Sequence, residues 1–247
     1  MLSEPTLHKL TEMRLHGMAR AFGEQLRDPE IGALDFATRF GLLVDAEADA
    51  REDRRLTRYL KQAKLRIPQA CVEDLDCSPA RGLDLALVRQ LMTGRWLDEH
   101  LNVLVTGATG TGKTYLACAL AQHACRQGRH TLYRRMSLLI EELMQARAAG
   151  GYAKLLDHFA RAELLVIDDW GVVTLDEVSR RDVLEIMDDR YARRSTIVAS
   201  QVPVKHWHDY LGEPTVADAI LDRLVHNAYK IELKGASLRT REVAGQK

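Results

Sequence analysis

A glycine-rich octapeptide between an apolar run and a helical pattern constrains this chain most. The run Val103-Leu104-Val105 leads into GATGTGKT at residues 107–114, and an alanine-rich pattern of helical period follows. The octapeptide fits G-x-x-x-x-G-K-[ST], the loop that holds phosphates between a buried strand and a helix. The sequence therefore predicts an α/β fold that binds a nucleoside triphosphate.

Each residue type in this loop has a physical purpose. Glycines let the backbone curl so that successive N–H groups point at phosphate oxygens, and the helix adds its positive N-terminal end. We expect Lys113 to face the β- and γ-phosphates and the Thr114 hydroxyl to take one Mg²⁺ position. The predicted nucleotide-binding residues are Gly107, Ala108, Thr109, Gly110, Thr111, Gly112, Lys113, Thr114 and Tyr115.

Composition excludes several classes of protein. The 247 residues include 35 Lys and Arg against 35 Asp and Glu, so any nucleic acid must be bound by a local patch rather than by net charge. No apolar run approaches the length of a membrane span, and no signal peptide is recognisable. Four cysteines without C-x-x-C spacing are typical of reduced thiols in a cytoplasmic protein.

The first 70 residues have helical periodicity throughout. Gly17 either ends the first helix or admits a close neighbour, and Asp28-Pro29 breaks the second. Prolines at Ile67-Pro68 and Ser78-Pro79 interrupt the pattern. We therefore expect a small all-α domain over residues 1–70 and a nucleotide domain over residues 71–247.

Five cations share one face of the third helical pattern. At about 100° per residue they lie opposite Leu56, Tyr59, Leu60 and Ala63, with no acid between them. A solvated face is the ordinary explanation of such a pattern, and a surface facing DNA phosphates is the functional one. This basic stripe consists of Arg51, Arg54, Arg55, Arg58 and Lys61.

Beyond the loop, short apolar runs alternate with helical patterns, which favours a parallel sheet flanked by helices. Trp96, just before the first strand, is a candidate for the wall of a purine pocket. The run Leu164–Ile167 ends in Asp168 and Asp169, at the strand end where such sheets bind ligands. Asp168 is predicted to hold Mg²⁺ and Asp169 to orient or deprotonate the attacking water.

Two other parts of the chain contain candidate site residues, the end of a strand and a helix near the C-terminus. Ser200 and Gln201 end the next strand, where one of them is expected to hydrogen-bond the γ-phosphate or the water. Arg223 lies in a helical pattern whose apolar arc includes Ile220 and Leu224, so it points away from its own core. An arginine that completes a neighbouring subunit's site needs that orientation.

These motifs together resemble the IstB family, the ATP-binding helper proteins of insertion sequences, which are related to the DnaC helicase loader and the DnaA initiator. The resemblance rests on residues 107–114, Leu164–Gly171, Ser200-Gln201, Asp218–Asn227 and Leu233–Arg239, and it covers nearly the whole chain. It implies an AAA+ sheet of order five-one-four-three-two, with ATP and Mg²⁺ as ligands. It also implies that Arg223 is an arginine finger and that Arg239 senses the nucleotide.

The resemblance further implies a function. ATP binding would assemble subunits on double-stranded DNA, mark a target for a partner transposase, and be followed by hydrolysis and release. A helicase loader acting on a replicative helicase is the main alternative, and a small-molecule kinase is a third. The paired acids and Arg223 suit hydrolysis better than transfer to a metabolite.

Overall fold

A computed structural model describes residues 3–238. Its packing divides the chain into two compact units, Met1–Arg58 and Tyr59–Lys247. The division comes earlier than the expected boundary at residue 70. The prediction placed the boundary near Ile67-Pro68, where the helical pattern stops. In the structure the division between the two units falls between Arg58 and Tyr59, inside the helix Phe36–Ala63.

The first unit consists of helices, as predicted. The helix that crosses the division, α4 (Phe36–Ala63), is continuous for 28 residues. The four helices are α1 (Ser3–Glu12), α2 (His16–Gln25), α3 (Pro29–Gly32) and α4 (Phe36–Ala63).

Gly17 admits a close neighbour and does not end the first helix. It lies inside α2, where a Cβ would stand 2.3 Å from the Ala46 carbonyl oxygen and 2.7 Å from Ala50 Cβ. The first helix ends earlier, and Arg14 adopts a left-handed backbone in the turn that follows. A side chain at position 17 would therefore force α2 away from α4.

Glu47 holds the start of α2 against α4. Its Oε2 accepts hydrogen bonds from the backbone N–H groups of Gly17 (2.8 Å) and Met18 (3.2 Å). Its Oε1 accepts from Arg51 Nε at 2.8 Å and from Arg54 Nη2 at 3.1 Å. The hydrogen bond from Arg51, assisted by the two backbone N–H groups, lowers the pKa of Glu47 to about 2 although burial opposes this.

The second unit alternates strands with helices. Its strands are β1 (Asn102–Gly107), β2 (Thr131–Arg135), β3 (Leu164–Trp170), β4 (Ser195–Ser200) and β5 (Ala228–Leu233). Its helices are α5 (Leu85–Met92), α6 (Arg95–Asp98), α7 (Lys113–Arg126), α8 (Met136–Ala148), α9 (Tyr152–Arg161), α10 (Glu177–Arg190), α11 (Trp207–Leu211) and α12 (Pro214–Val225). Short 3-10 turns lie at Val72–Asp74, Pro79–Arg81 and Val204–His206.

The five strands form one parallel sheet in the order β2-β3-β4-β1-β5. This is the order that the resemblance implied. Ser200 pairs with Thr106 on one side and with Trp170 on the other, so the carboxyl ends of β1, β3 and β4 meet at one edge. Ligands of such sheets bind at this edge.

Burial differs between the central strand and one edge of the sheet. The central strand β4 is buried along its whole length, whereas the edge strand β5 buries only alternate residues, Ile231 and Leu233. Helices that cover both faces of a parallel sheet explain the continuous burial of β4. Within residues 3–238, no helix has the length and apolar character that crossing a membrane requires.

The Glu47 contacts predict a defined pH dependence. Because the folded-state pKa is depressed, the stabilisation is complete above the ordinary value of 4.5 and is lost as pH falls towards about 2. Glu47→Gln should flatten the acid side of the stability profile. Glu47→Ala should cost about 1–3 kcal/mol at neutral pH because buried N–H groups lose their acceptor.

Urea unfolding followed by circular dichroism between pH 7 and pH 3 measures both effects. Glu52→Gln is the matched control, because Glu52 pairs with Arg55 on an exposed surface where such pairs contribute little. Identical pH profiles for wild type and Glu47→Gln would contradict the role assigned to this carboxylate.

Candidate functional site

The loop between β1 and α7 has the shape expected of a phosphate cradle. Gly107, Gly110 and Gly112 all have positive φ, at 147°, 83° and 98°. At Gly107 a Cβ would stand 2.4 Å from the Leu233 carbonyl oxygen at the end of β5. Lys113 is the first residue of α7, and its Nζ donates to the Ala108 carbonyl oxygen at 2.8 Å across the loop. An ammonium group and a helix N-terminus therefore converge on one concave stretch of backbone.

The Asp168 carboxylate is the centre of the hydrogen-bond network beside the loop. Its Oδ2 accepts from the Thr114 hydroxyl at 2.8 Å and from the Tyr133 hydroxyl at 2.7 Å, and the side chain is almost fully buried. Burial, together with the neighbouring Asp168 charge, raises the pKa of Tyr133 and keeps its hydroxyl a donor. Thr114 and Asp168 thus present two hard oxygen ligands side by side, a donor set that fits Mg²⁺ with phosphate and water as further ligands.

Tyr133 was not predicted as a site residue. It lies on β2, which pairs with β3 so that Tyr133 stands opposite Val166, two residues before Asp168. A tyrosine in an apolar strand is ordinarily a core residue. The sequence of β2 does not indicate that the Tyr133 hydroxyl donates to Asp168.

A β-bulge places both acids at the same edge. Ile167 pairs with Val198 and Trp170 with Ser200, so Asp168 and Asp169 together oppose the single residue Ala199. Asp169 adopts a left-handed backbone (φ 57°), and its N–H donates to Asp168 Oδ1 at 2.9 Å. Consecutive side chains of a regular strand point to opposite faces, and a bulge re-aims them.

Ser200 and Gln201 have different environments. The Ser200 hydroxyl is fully buried, donates to the Trp170 carbonyl oxygen at 2.6 Å and accepts from Val202 N–H at 3.0 Å. Gln201 is exposed, and its Oε1 accepts from the Thr109 hydroxyl at 2.6 Å. Gln201 is therefore the member of this pair that contacts the phosphate loop.

A cavity of about 740 Å³ adjoins the loop and is large enough for a nucleotide. Its walls include the loop, Tyr115 and apolar residues that come from distant parts of the chain. These apolar residues are Ile67, Leu75, Leu83, Leu233 and Leu238. The prediction that Trp96 lines a purine pocket was wrong. Trp96 is buried in the core, where its indole N–H donates to the Leu91 carbonyl oxygen.

A segment near the C-terminus covers one side of the loop. Leu238 N–H donates to the Gly110 carbonyl oxygen at 2.9 Å, and a Cβ on Gly110 would meet Ser237 Oγ at 2.1 Å. The buried Arg81 guanidinium joins the two parts, donating to the carbonyl oxygens of Thr111 (2.5 Å) and Ala236 (3.0 Å). Arg239, the predicted nucleotide sensor, lies outside the described residues.

Arg66 also contacts the acidic pair and was not predicted as a site residue. Its Nη1 lies 3.3 Å from Asp169 Oδ2 and 3.8 Å from Asp168 Oδ2. Arg66 directly precedes Ile67-Pro68, where the sequence indicated only an interruption of the helical pattern. Nothing in the local pattern relates it to Asp169, 103 residues further along the chain.

Arg223 is held by an acid of its own chain. Ile220 and Leu224 are buried, as the helical period predicted, but Arg223 lies on the flank of this face of α12 and its side chain is only 28% exposed. Its guanidinium forms an ion pair with Asp188 of α10 and donates from Nη1 to the Ala219 carbonyl oxygen at 2.7 Å. An outward-facing arginine finger would first have to leave Asp188.

All five cations of the basic stripe are exposed on α4. They are not a continuous run of unpaired charge, however, because Glu47 binds Arg51 and Arg54, and Glu52 pairs with Arg55. Glu47 lies one turn before Arg51 on the same face, so a helical projection begun one turn earlier would have included it.

Comparison with known proteins agrees with the geometry. A model of the family described as IstB-like ATP binding protein matches residues 8–245. The chain is 50% identical over 239 residues to "Putative insertion sequence ATP-binding protein y4pL" of Sinorhizobium fredii (strain NBRC 101917 / NGR234), covering 97% of each. It is 46% identical over 203 residues to "Insertion sequence IS1162 putative ATP-binding protein" of Pseudomonas fluorescens, covering 82% of this chain and 88% of the relative.

Solved structures share the fold at lower identity. AMPPCP-bound DnaA from Aquifex aeolicus has a TM-score of 0.58 at 18% identity, over 74% of this chain and 55% of that one. The DnaC helicase loader has a TM-score of 0.52 at 22% identity, over 67% of this chain and 97% of that one. These likenesses confirm the expected AAA+ fold, a parallel sheet with a phosphate loop and flanking helices. By its sequence along almost the entire length, the chain belongs to the family of IstB-like ATP binding proteins.

Proposed function

We propose that this protein is an ATPase that binds ATP with Mg²⁺, assembles with further copies of itself on duplex DNA, and assists a transposase at the target site. One observation carries the proposal: Lys113, Thr114 and Asp169 line one cavity at the carboxyl edge of the sheet, where Asp168 accepts a hydrogen bond from Thr114. Relatives named as insertion sequence ATP-binding proteins supply the biological context. We place this activity in the cytoplasm, where bacterial DNA lies.

The residues divide the proposed chemistry among them. Lys113 exchanges the Ala108 carbonyl oxygen for the β- and γ-phosphates, while the loop N–H groups bind the remaining oxygens. Thr114 and Asp168 would hold Mg²⁺, and the bound ion would supply positive charge that offsets the charge of the phosphates. Gln201 hydrogen-bonds the γ-phosphate or the attacking water, and Asp169 accepts the proton of that water.

Arg223 completes the site of a neighbouring copy. In a single chain it pairs with Asp188, so a γ-phosphate from another subunit must replace that carboxylate. A guanidinium suits this exchange because it binds carboxylate and phosphate in the same bidentate geometry. An open groove of about 870 Å³ beside Arg223, lined by Lys205, His208 and Asp222 among others, provides a surface for the neighbour.

DNA binding is proposed to use the outer face of α4. A neutral chain with one partly paired stripe binds a duplex weakly, but an assembly presents the stripe many times along one DNA molecule. Linked binding sites raise the total affinity without any new contact.

Lys113→Ala should abolish ATP binding, and DNA-dependent assembly with it, because the cation that faces the β- and γ-phosphates is lost. Titration calorimetry with ATP and Mg²⁺ measures this directly. Lys154→Ala, on the exposed side of α9, is the control and should bind normally. If Lys113→Ala kept its nucleotide affinity, the loop assignment would be wrong.

Arg223→Ala and Asp169→Asn should complement each other. Arg223→Ala should keep ATP binding yet lose assembly-dependent hydrolysis by roughly 10³-fold, as fingers of this kind do elsewhere. Asp169→Asn should also bind ATP without turnover, since an amide cannot accept the proton. Mixed assemblies contain some interfaces with both intact halves, so mixing the two inactive variants should restore part of the phosphate release.

Arg181→Ala serves as the control, because Arg181 is a surface arginine paired with Glu177 on α10. It should retain full hydrolysis. Absence of recovery in assemblies that are shown by labelling to be mixed would argue against a finger supplied by a neighbour.

The basic stripe predicts a salt dependence. Arg55, Arg58 and Lys61 avoid the Glu47 contacts, so replacing these three by Ala tests DNA binding without disturbing the packing of α2. If each contacts one phosphate, the log–log salt slope should fall by about 0.9 per residue, or about 3 per subunit. Affinity should drop equally for different sequences, because phosphate contacts carry no sequence information.

The matched control replaces Lys154, Arg161 and Arg181, three exposed cations of the second unit, and changes the net charge by the same amount. An unchanged slope in the stripe variant would show that the basic stripe is a solvated surface that does not contact DNA phosphates. Stimulation of phosphate release by single-stranded DNA in preference to duplex would instead favour the helicase-loader alternative.

A further inference from the structure

Arg66 lies in the nucleotide cavity, and none of the roles described above uses it. It lines the same cavity as Lys113, Thr114 and Gln201. Its Nη1 donates to Asp169 Oδ2 at 3.3 Å. The contact therefore engages an oxygen of the carboxylate that is proposed to accept a proton.

The backbone around Arg66 is fixed, whereas its side chain has room to move. Leu65 and Ala70 are buried on either side of it, at 7% and 0% exposure. Pro68 restricts Ile67 to an extended backbone. The Arg66 side chain itself is 42% exposed, so its guanidinium can turn within the cavity while the chain stays in place.

Charge determines where the guanidinium should go. Without nucleotide, it is a cation close to two carboxylates, Asp168 and Asp169. Bound Mg²⁺ would offset the charge of Asp168, and a terminal phosphate would bring new anionic oxygens into the same cavity. Guanidinium groups bind such oxygens in bidentate geometry at least as readily as they bind a single carboxylate oxygen.

We infer that Arg66 is a phosphate-binding arginine supplied by the same chain, which pairs with Asp169 in the absence of nucleotide and contacts the γ-phosphate of bound ATP. In moving, Arg66 uncovers the Asp169 oxygen that accepts the proton of the attacking water. Because ADP has no γ-phosphate, Arg66 stays on Asp169 when ADP is bound. The inference rests on the proposed ATPase function and adds to it a residue that distinguishes ATP from ADP.

Equilibrium binding of ATP and ADP to the full chain tests this without any measurement of turnover. Arg66→Gln should lower the affinity for ATP by about 10- to 100-fold, the range expected for loss of a charged hydrogen bond, and should leave the affinity for ADP unchanged. Arg66→Lys keeps the charge without the bidentate geometry and should be intermediate. Lys64→Gln removes a neighbouring exposed cation that does not line the cavity and should match wild type for both nucleotides.

A double-mutant cycle tests the pairing with Asp169. If Asp169 competes with the γ-phosphate for Arg66, Asp169→Asn should raise ATP affinity, and this gain should shrink when Arg66→Gln is also present. Independent, additive effects of the two substitutions would overturn the exchange.

The outcomes separate this inference from the function on which it rests. Equal loss of ATP and ADP affinity in Arg66→Gln, or no loss, would show that Arg66 is only a counter-ion of the acids. Failure of the wild-type chain to bind either nucleotide would refute the proposed ATPase itself.

Discussion

The hydrogen bonds of the Asp168 carboxylate hold the candidate site together. A buried carboxylate is costly unless donors satisfy it. Here the donors come from the start of α7 (Thr114), from β2 (Tyr133) and from the Asp169 backbone N–H. Satisfying one charge thus fixes the phosphate loop's helix against β3, at a separation where the Thr114 and Asp168 oxygens can share a cation. The geometry of the loop, the bulge and the cavity depends on this arrangement.

The bulge in β3 explains how two consecutive acids serve one cavity. In a regular strand Asp168 and Asp169 would point to opposite faces of the sheet. With one extra residue in β3, Asp168 turns into the buried network, while Asp169 remains partly exposed at the same edge. This difference in burial supports the roles proposed for them, metal binding for Asp168 and proton transfer for Asp169.

Ion pairs within the chain involve several of its important arginines. Arg51 is bound by Glu47, Arg66 by Asp169 and Arg223 by Asp188. In a chain with equal numbers of acidic and basic residues, such pairing is a natural consequence of folding. A phosphate that binds these arginines competes with a carboxylate of the same chain for the guanidinium. In the proposed function, binding of DNA or nucleotide is therefore an exchange of ionic partners, which lowers the affinity but keeps the guanidinium groups close to the proposed binding sites.

The sequence by itself determined the features that depend only on neighbouring residues. Helical period, apolar runs and the loop at Gly107–Thr114 specified the elements and the phosphate cradle, while the sheet order came from the family resemblance. Only the tertiary structure decided which residues face each other: Arg66 with Asp169, and Asp188 with Arg223. Periodicity reports the side of a helix or strand on which a residue lies. It does not report which distant element covers that side, because this depends on how the whole chain packs.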